Sequence, residues 1–215
     1  MTSQTQPPKI ENIKIALLGN SGVGKTCIIN RYIKNEFKAE NESTIGANYQ
    51  QKVISRNGKT LQLDLWDTAG QEKYRSLGKH FYKNAYIVIF VYDISVKESF
   101  TAIKDIWYND IKTFGEKYSV FAVVGNKSDK FEEEDVDENL ARAYAKEINA
   151  IFMLVSAQNG SNIESLFDAV VDAYLGPEFQ PKAKEMIAEK EENTSGNVEI
   201  KKNDDQNGRK KGCAC

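Results

Sequence analysis

Apolar and polar residues alternate in blocks along most of this chain, and the blocks predict strands and helices in turn. Residues 13–18 form an apolar stretch broken only by Lys14, which predicts a mostly buried strand. Three later runs, 86–92, 120–124 and 151–155, are almost continuously apolar, as expected for parallel strands covered on both faces. Helical patterns at 98–114 and 136–148 separate these runs. The order predicts a doubly wound α/β sheet that is mostly parallel.

One antiparallel hairpin is also predicted. Residues 49–56 and 59–67 flank the pair Asn57-Gly58, and Asn-Gly is the strongest short hairpin signal because both turn residues need positive φ. A last helix is expected to start at Ser161, since Ser161 and Glu164 have the spacing of a capping box.

Length and charge fit one domain with a tail. The chain has 215 residues, of which 40% are hydrophobic and 28% charged, with a net charge of −2. These values are ordinary for a globular domain and give no indication of nucleic-acid binding. Residues 1–9 are expected to be a flexible N-terminus and 10–177 the folded domain. Residues 178–215, rich in Lys, Glu, Asn and Asp, are expected to be a disordered tail.

The cysteines and apolar runs bear on the compartment. Three cysteines are too few for a disulfide framework, which favours a reducing, cytosolic compartment. The longest apolar run, 85–92, is far short of the ~20 residues that a membrane-spanning helix needs. Any contact with a membrane is therefore expected to come from a lipid or a partner.

A glycine-rich segment between the first strand and the first helix matches the P-loop pattern. Gly19-x-x-x-x-Gly24-Lys25-Thr26 has both the spacing and the strand-to-helix context of that motif. Its backbone N–H groups would cradle an oxyanion at the positive end of the helix. Lys25 is expected to bridge the β- and γ-phosphates, and Thr26 to bind Mg²⁺. The predicted nucleotide contacts in this segment are Ser21, Gly22, Val23, Gly24, Lys25, Thr26 and Cys27. The motif alone does not distinguish an ATP-binding from a GTP-binding protein, or a kinase from a switch protein.

A second group of residues suits a metal and a hydrolytic water. Asp67 ends an apolar strand, where P-loop proteins place the magnesium-binding acid, and Gly70-Gln71 follow closely. Gly70 permits close approach to a γ-phosphate, and Gln71 can position the attacking water. Thr44 is expected to join the metal only while the γ-phosphate is present, which would make its loop a switch. Predicted catalytic residues are thus Gln71, Lys25 and Gly70; predicted metal ligands are Thr26, Thr44 and Asp67.

A third group predicts a guanine pocket. Asn126-Lys127-Ser128-Asp129 follows an apolar strand, and the Asp129 carboxylate can accept from N1–H and the 2-amino group of guanine. Adenine has neither donor there, so the unpaired acid would reject it. Asn126 would brace the pocket, Lys127 would lay its stem over the base, and the Ala157 amide, after Ser156, could meet O6. Phe37 is a candidate for an edge contact with the base, or else a loop aromatic packed under the core.

Together these motifs, spread over about 10–175, resemble the Ras superfamily, and the flanking sequence is similar to Rab proteins. The Rab-like stretches are 45–49, 63–67, 73–77, 81–85 and 91–95. The resemblance implies a six-stranded sheet with one antiparallel edge strand and the P-loop NTPase fold of small G proteins. Gln158 stands where a lysine usually follows Ser-Ala, and is expected to weaken one contact in the nucleotide site. Tyr49 stands in place of a common phenylalanine.

The resemblance also implies an effector surface and a lipid anchor. Tyr49, Trp66 and Tyr82 would form an aromatic triad for effectors, although ordinary core packing is the alternative for these rings. The full predicted surface is Ile45, Tyr49, Trp66, Tyr74, Leu77 and Tyr82. The terminal Cys213 and Cys215 resemble the pair that carries two geranylgeranyl groups in Rab chains, and stable anchoring takes two such signals.

The expected activity is that of a small GTPase that cycles between GTP and GDP and recruits effectors in vesicle trafficking. No arginine precedes Thr44 in its loop, so hydrolysis should be slow and need an activating protein. The other expected partners are an exchange factor, a GDP-dissociation inhibitor and an escort protein, and the protein is expected to be a monomer. It should be cytoplasmic and reversibly attached to intracellular membranes. Residues 43–47 resemble early-endosomal Rab branches, but this match is too short to assign an organelle. A nucleotide-binding scaffold that no longer cycles, and a P-loop kinase, are the rival interpretations.

Overall fold

A computed structural model describes residues 10–38, 44, 47–68, 82–114 and 119–179. Six strands form one sheet: β1 (Ile10–Leu18), β2 (Ala47–Arg56), β3 (Lys59–Thr68), β4 (Ile87–Asp93), β5 (Val120–Asn126) and β6 (Ile151–Leu154). Their order across the sheet is β2-β3-β1-β4-β5-β6. β2 runs antiparallel to β3 and every other neighbouring pair is parallel. The predicted sheet with one antiparallel edge strand is confirmed.

The helices lie between the strands as the apolar pattern predicts. The elements are α1 (Lys25–Lys34), α2 (Lys97–Ala102), a π-helical turn (Ile103–Trp107), α3 (Tyr108–Phe114), a 3-10 turn (Ser128–Glu133), α4 (Glu138–Glu147) and α5 (Ile163–Leu175). α2, the π turn and α3 follow one another without a break where one regular helix was predicted. None of the helices in the described ranges is long and apolar enough to cross a bilayer.

The predicted capping box at the start of α5 is wrong. The helix begins at Ile163, and the residue before it, Asn162, has a left-handed backbone (φ 59°) and makes no side-chain cap. Ser161 instead belongs to the preceding turn, because its carbonyl accepts from the Ser156 amide at 3.0 Å. Its own amide donates to Asn159 Oδ1 at 2.8 Å. These bonds hold Ser161 one residue outside the capping position.

The hairpin between β2 and β3 has the predicted turn. Asn57 (φ 51°) and Gly58 (φ 74°) both adopt positive φ, which suits the twist of the two strands. Leu61, Leu63 and Leu65 on β3 are fully buried, while the residues between them are partly exposed. The hairpin therefore has one face on the core and the other towards solvent.

The sheet is covered on both faces, as a doubly wound fold requires. One core cluster packs α1 and α5 on the sheet, and includes Ile28, Ile29, Leu166 and Phe167. The other packs the helices between β4 and β6 on the opposite face, and includes Ile103, Trp107, Ala141 and Tyr144. β1, β3, β4, β5 and β6 all point the same way, so the loops that follow them meet at one edge. In open α/β sheets this carboxyl edge is where ligands bind.

Candidate functional site

The loop from β1 to α1 is shaped by two glycines. Gly24 (φ 94°) lies so close to the Asn126 side-chain amide that a Cβ would overlap it, and a Cβ on Gly19 would overlap the carbonyl oxygen of Val91. Any larger residue would therefore push the loop away from β4 and β5. The exposed Ser21 and Gly22 form the outer part of this loop and Val23 its buried part. Thr26 and Cys27, both half-buried, follow in the first turn of α1.

Lys25 is held inside this loop. Its ammonium group donates to the carbonyl oxygens of Gly19 at 2.8 Å and Asn20 at 2.9 Å, and the residue is only 6% exposed. Burial lowers the pKa of Lys25 to about 8, although the nearby Asp67 carboxylate acts to raise it. An ammonium group has three donors, and the hydrogen bonds seen within the described residues use two. The geometry suits a contact with an anion at the mouth of the loop.

The three predicted metal ligands meet beside Lys25, although they come from distant parts of the chain. Thr26 Oγ1 donates to Asp67 Oδ2 at 2.6 Å. Thr44 Oγ1 lies 3.1 Å from Thr26 Oγ1 and 3.2 Å from Asp67 Oδ2. The other carboxylate oxygen, Asp67 Oδ1, is buried and has no hydrogen-bond partner among the residues that the structure describes.

This set of oxygens fits Mg²⁺. Burial raises the pKa of Asp67, against the opposing effects of the Thr26 hydroxyl, the Lys25 ammonium and the Thr44 hydroxyl. A buried oxygen without a partner is costly, and a cation next to it would remove that cost. Mg²⁺ takes oxygen ligands and is usually bound by one or two carboxylates together with water and phosphate. One carboxylate and two hydroxyls are what this corner of the fold offers.

Asn126 joins the β1–α1 loop to the loop after β6. Its Nδ2 donates to the Val23 carbonyl at 2.8 Å, and its Oδ1 accepts from the Ala157 amide at 3.1 Å. The residue is 1% exposed. Its side chain thus fixes the distance between the two loops. The Ala157 amide, predicted to meet guanine O6, has Asn126 as its partner in this structure.

Asp129 lies next to the same loop. The Ser156 hydroxyl, itself fully buried, donates to Asp129 Oδ1 and accepts from the Asn159 amide at 3.2 Å. Ser128 N donates to the Val155 carbonyl at 3.0 Å, which attaches the 3-10 turn to the end of β6. Asp129 and Ala157, more than twenty residues apart in sequence, are thereby brought to one pocket.

Lys127 has a partner that the motif analysis did not assign. Its backbone is left-handed (φ 65°), and its Nζ lies 2.6 Å from Asp93 Oδ2. Asp93 Oδ1 accepts from the Ser95 amide at 3.0 Å and the Ser95 hydroxyl at 2.7 Å. Burial acts to raise the pKa of Asp93, but the bonds from Lys127 and Ser95 outweigh it and lower that pKa. The available signal was the position of Asp93 at the end of an apolar strand, as for Asp67.

Two further residues that sequence analysis missed contact the loops of the site. Arg31 on α1 donates through Nε to the Ala157 carbonyl at 2.9 Å and through Nη2 to the Gln158 carbonyl at 2.6 Å. Trp107, in the π turn, donates its indole N–H to Asn20 Oδ1 at 3.0 Å. Their spacing in sequence gives no signal for either contact, because both partners lie in other elements.

The remaining predicted residues fall into three groups. Gln158 has an exposed side chain, and Phe37 is half-buried with contacts to the core cluster. Tyr49 and Trp66 pack together with ring centroids 5.0 Å apart, whereas Tyr82 is only 2% exposed and belongs to the core. The predictions for Gly70, Gln71, Ile45, Tyr74, Leu77, Cys213 and Cys215 lie outside the described residues.

Comparison with known proteins gives the family. The family model described as the Ras family matches residues 14–175. The Ras-related protein Rab5A of Oryza sativa subsp. japonica is 37% identical over 167 residues, which cover 78% of this chain and 82% of that protein. The Ras-related protein Rab-1D of Dictyostelium discoideum is 38% identical over 154 residues, or 72% and 75% of the two chains. RABD2a of Arabidopsis thaliana is 37% identical over 157 residues, or 73% and 77%.

The resemblance seen in the motifs and the family match agree with the fold and its carboxyl-edge site. The chain belongs to the Ras family, and within it to the Rab small GTPases, the GTP-hydrolysing switches of vesicle trafficking.

Proposed function

We propose that the carboxyl-edge site binds GTP or GDP together with Mg²⁺, and that Thr44 reports which nucleotide is present. The observation that carries this proposal is the meeting of the Thr26 and Thr44 hydroxyls at one oxygen of Asp67, whose other oxygen is buried and has no hydrogen-bond partner among the described residues. Two of these residues stand on rigid elements, α1 and β3. Thr44 does not, and lies in the connection between α1 and β2.

The phosphates are held by the β1–α1 loop and Lys25. The loop presents backbone N–H groups at the start of α1, and Lys25 adds a charge that the protein has already desolvated. Thr26, Asp67 and Thr44 would hold Mg²⁺, which would supply positive charge to neutralise the phosphates. Gln71 orients the attacking water, and Gly70 lets the backbone approach the γ-phosphate.

The base is held by Asp129, Asn126, Lys127 and the Ala157 amide. Asp129 accepts from the two donors that distinguish guanine from adenine, while Ser156 fixes the orientation of its carboxylate. Asn126 sets the spacing between the loop after β6, here called the base loop, and the β1–α1 loop, here called the phosphate loop. Phe37 and Gln158 border the nucleotide without a charged contact.

The switch follows from the difference between these ligands. Thr44 gains a metal contact when the γ-phosphate and Mg²⁺ are both present and loses it after hydrolysis, so its loop is ordered by GTP and released by GDP. Effectors read this difference at the adjacent surface, which includes Ile45, Tyr49 and Trp66, with Tyr74 and Leu77. Tyr82 supports that surface from the core, since it is buried.

The cell biology follows the Rab pattern. The chain works as a monomer with an exchange factor, an activating protein, a GDP-dissociation inhibitor, an escort protein and effectors. Prenyl groups on Cys213 and Cys215 attach it reversibly to the cytosolic face of intracellular membranes.

Nucleotide competition tests the proposal. GDP and GTP should displace a bound fluorescent guanine nucleotide far better than ADP and ATP, and only GTP and GDP binding should tighten with Mg²⁺. Asp129→Ala should remove most of a guanine preference of about 10⁴, because the carboxylate that separates the two bases is gone. Asp168→Ala is the matched control, since that acid lies on α5 and pairs with Arg56 at 3.1 Å.

The control should bind every nucleotide as the wild type does. Equal affinity of the wild type for GDP and ADP would overturn the guanine pocket, as would an Asp129→Ala variant with unchanged preference. GTP binding that ignores Mg²⁺ would overturn the metal assignment and leave the base pocket standing.

A further inference from the structure

The side chain of Arg31 spans from α1 to the loop that follows β6. Its Nε donates to the Ala157 carbonyl at 2.9 Å and its Nη2 donates to the Gln158 carbonyl at 2.6 Å. Its Nη1 donates to the Asn35 carbonyl at 2.9 Å and to Asn35 Oδ1 at 3.1 Å. One guanidinium group therefore joins the end of α1 to two consecutive carbonyls of the base loop.

These bonds fix the peptide planes on either side of Ala157. The plane that carries the Ala157 amide is held by Asn126 Oδ1. The plane that carries its carbonyl, and the next plane after it, are held by Arg31. Asn126 thus holds the plane of the Ala157 N–H directly, and Arg31 acts on that N–H through the adjacent backbone, because it holds the two planes that follow.

The rest of this loop has little else to hold it from the α1 side. The Gln158 side chain is exposed, so its main-chain carbonyl is the point at which α1 contacts that residue. Gly160 (φ 87°) lies beside the Arg31 stem, where a Cβ would make an ordinary contact with Arg31 Cδ at 3.7 Å.

We propose that Arg31 is a positioning residue for guanine: it holds the backbone that follows Ala157, so that the Ala157 amide, which donates to Asn126 Oδ1 in this structure, is placed within reach of the O6 atom of the base. The inference rests on the proposed function, because it assumes that Ala157 meets O6. It goes further in assigning a role in base recognition to α1. Lys25 and Thr26 stand at the first turn of the same helix, so α1 couples the phosphate end of the nucleotide to its base end.

Guanidinium geometry is essential to this role. A planar group with five donors can serve two carbonyls and Asn35 at once, whereas an ammonium on a flexible stem cannot. Hydrogen bonds from charged donors are the stronger class. Removal of these contacts should leave the fold in place, since Arg31 is not part of the buried core, and should loosen the base loop.

The test compares three diphosphates in Arg31→Met, Arg31→Lys and the wild type. GDP carries O6, N1–H and the 2-amino group, and inosine diphosphate lacks only the 2-amino group. 2-Aminopurine riboside diphosphate keeps the 2-amino group but lacks both O6 and N1–H, so its affinity is compared only with its own affinity for the wild type. Arg31→Met should weaken GDP and inosine diphosphate by the same factor, about 10- to 100-fold, as expected for the loss of charged hydrogen bonds. The 2-aminopurine nucleotide should lose less than threefold. Arg31→Lys should lie between.

Any other result contradicts either the role of Arg31 or the proposed guanine-binding function on which it rests. An equal loss for all three nucleotides would mean that Arg31 only supports the fold, and an unchanged GDP affinity would mean that the loop needs no such support. Asp129→Ala should instead change the ratio of GDP to inosine diphosphate, which Arg31→Met leaves constant. A wild type without guanine preference would defeat the proposed function itself. Arg142→Gln, which removes a surface arginine paired with Glu138, should behave as wild type.

Discussion

Two aspartates at the carboxyl edge of the sheet show how surroundings decide the role of a residue. Asp67 on β3 and Asp93 on β4 lie on either side of β1, and both are almost completely buried. Asp67 keeps one oxygen without a partner in the described part of the chain, which suits a cation. Asp93 has both oxygens occupied, one by Lys127 and one by Ser95. It can therefore orient its neighbours, but it lacks the unpartnered oxygen that Asp67 offers to a cation.

Sequence alone could predict the first of these roles and not the second. Asp67 is followed by a segment whose composition indicates γ-phosphate chemistry. Asp93 has no such sequel, and its partner Lys127 lies in a loop after another strand. The contact depends on the parallel register of β4 and β5, which places Asp93 opposite Asn126. The contacts of Arg31 could not be predicted for the same reason, because its partners lie 126 and 127 residues away.

The Asp93–Lys127 contact predicts a pH-dependent loss of stability. Asp93→Asn should lower the free energy of unfolding by about 1–2 kcal/mol at pH 7, because it removes a charged hydrogen bond to a lysine that is one-third exposed. The pKa of Asp93 is lower in the folded protein, so its contribution is complete above the unfolded value of about 4 and is lost as pH falls further.

Urea unfolding of both proteins at constant GDP, from pH 7 down to pH 3, checks this. The two unfolding free energies should differ at pH 7 and converge below about pH 4. Ser95→Ala, which keeps the Lys127 contact, should lose less at neutral pH. A difference that stays constant across the range would show that the charge of Asp93 is not the cause.

At the scale of elements, the helical segment between β4 and β5 contains a π turn that its sequence pattern does not predict. Apolar spacing predicts one helix over 98–114, and α2 and α3 confirm its position. The π turn at Ile103–Trp107 depends on packing and not on composition, and π turns are often found at functional sites. Here the turn accompanies a Trp107 indole N–H that reaches Asn20 in the phosphate loop. At the start of α5 a local sequence signal is present but is not followed. Ser161 has the spacing of a helix cap, yet its backbone is hydrogen-bonded within the preceding loop and the helix begins later.

The contact between the π turn and the phosphate loop predicts faster nucleotide release when it is removed. Trp107→Phe keeps an aromatic ring but loses the N–H that fixes Asn20, whose carbonyl in turn binds Lys25. One hydrogen bond is worth about 1 kcal/mol, so GDP dissociation should accelerate about fivefold. Stopped-flow release of a fluorescent GDP analogue measures this directly.

The other tryptophan of the chain provides the control. Trp66 lies on β3 against Tyr49, away from Asn20, so Trp66→Phe should release GDP at the wild-type rate. If both variants release GDP equally fast, a general loss of packing and not the Asn20 contact is responsible.

At the scale of the whole molecule, one sheet edge collects all the nucleotide motifs that lie in the described residues. That arrangement follows from the strand order and could be expected from the sequence, because motifs that end parallel strands meet at one edge. The attachment of the edge strand β2 to α5 could not be expected from the sequence. β2 is tied to α5 by Lys52–Glu164 at 3.4 Å and by Arg56 to Asp168 at 3.1 Å and Asp172 at 2.5 Å. These pairs join residues more than 100 positions apart and anchor the hairpin that follows Thr44.

The terminal cysteines predict that membrane attachment and nucleotide binding are separable. Cys213→Ser with Cys215→Ser should leave GDP affinity unchanged, because the proposed nucleotide contacts lie between Gly19 and Gln158. The double variant should move wholly to the cytosolic fraction of cells, measured by ultracentrifugation of lysates. Each single variant should bind weakly, since one lipid chain gives only marginal, reversible attachment. Lys210→Gln should cost only about 1 kcal/mol of membrane affinity. Membrane binding that persists in the double variant would mean that a protein partner, and not a lipid, supplies the anchor.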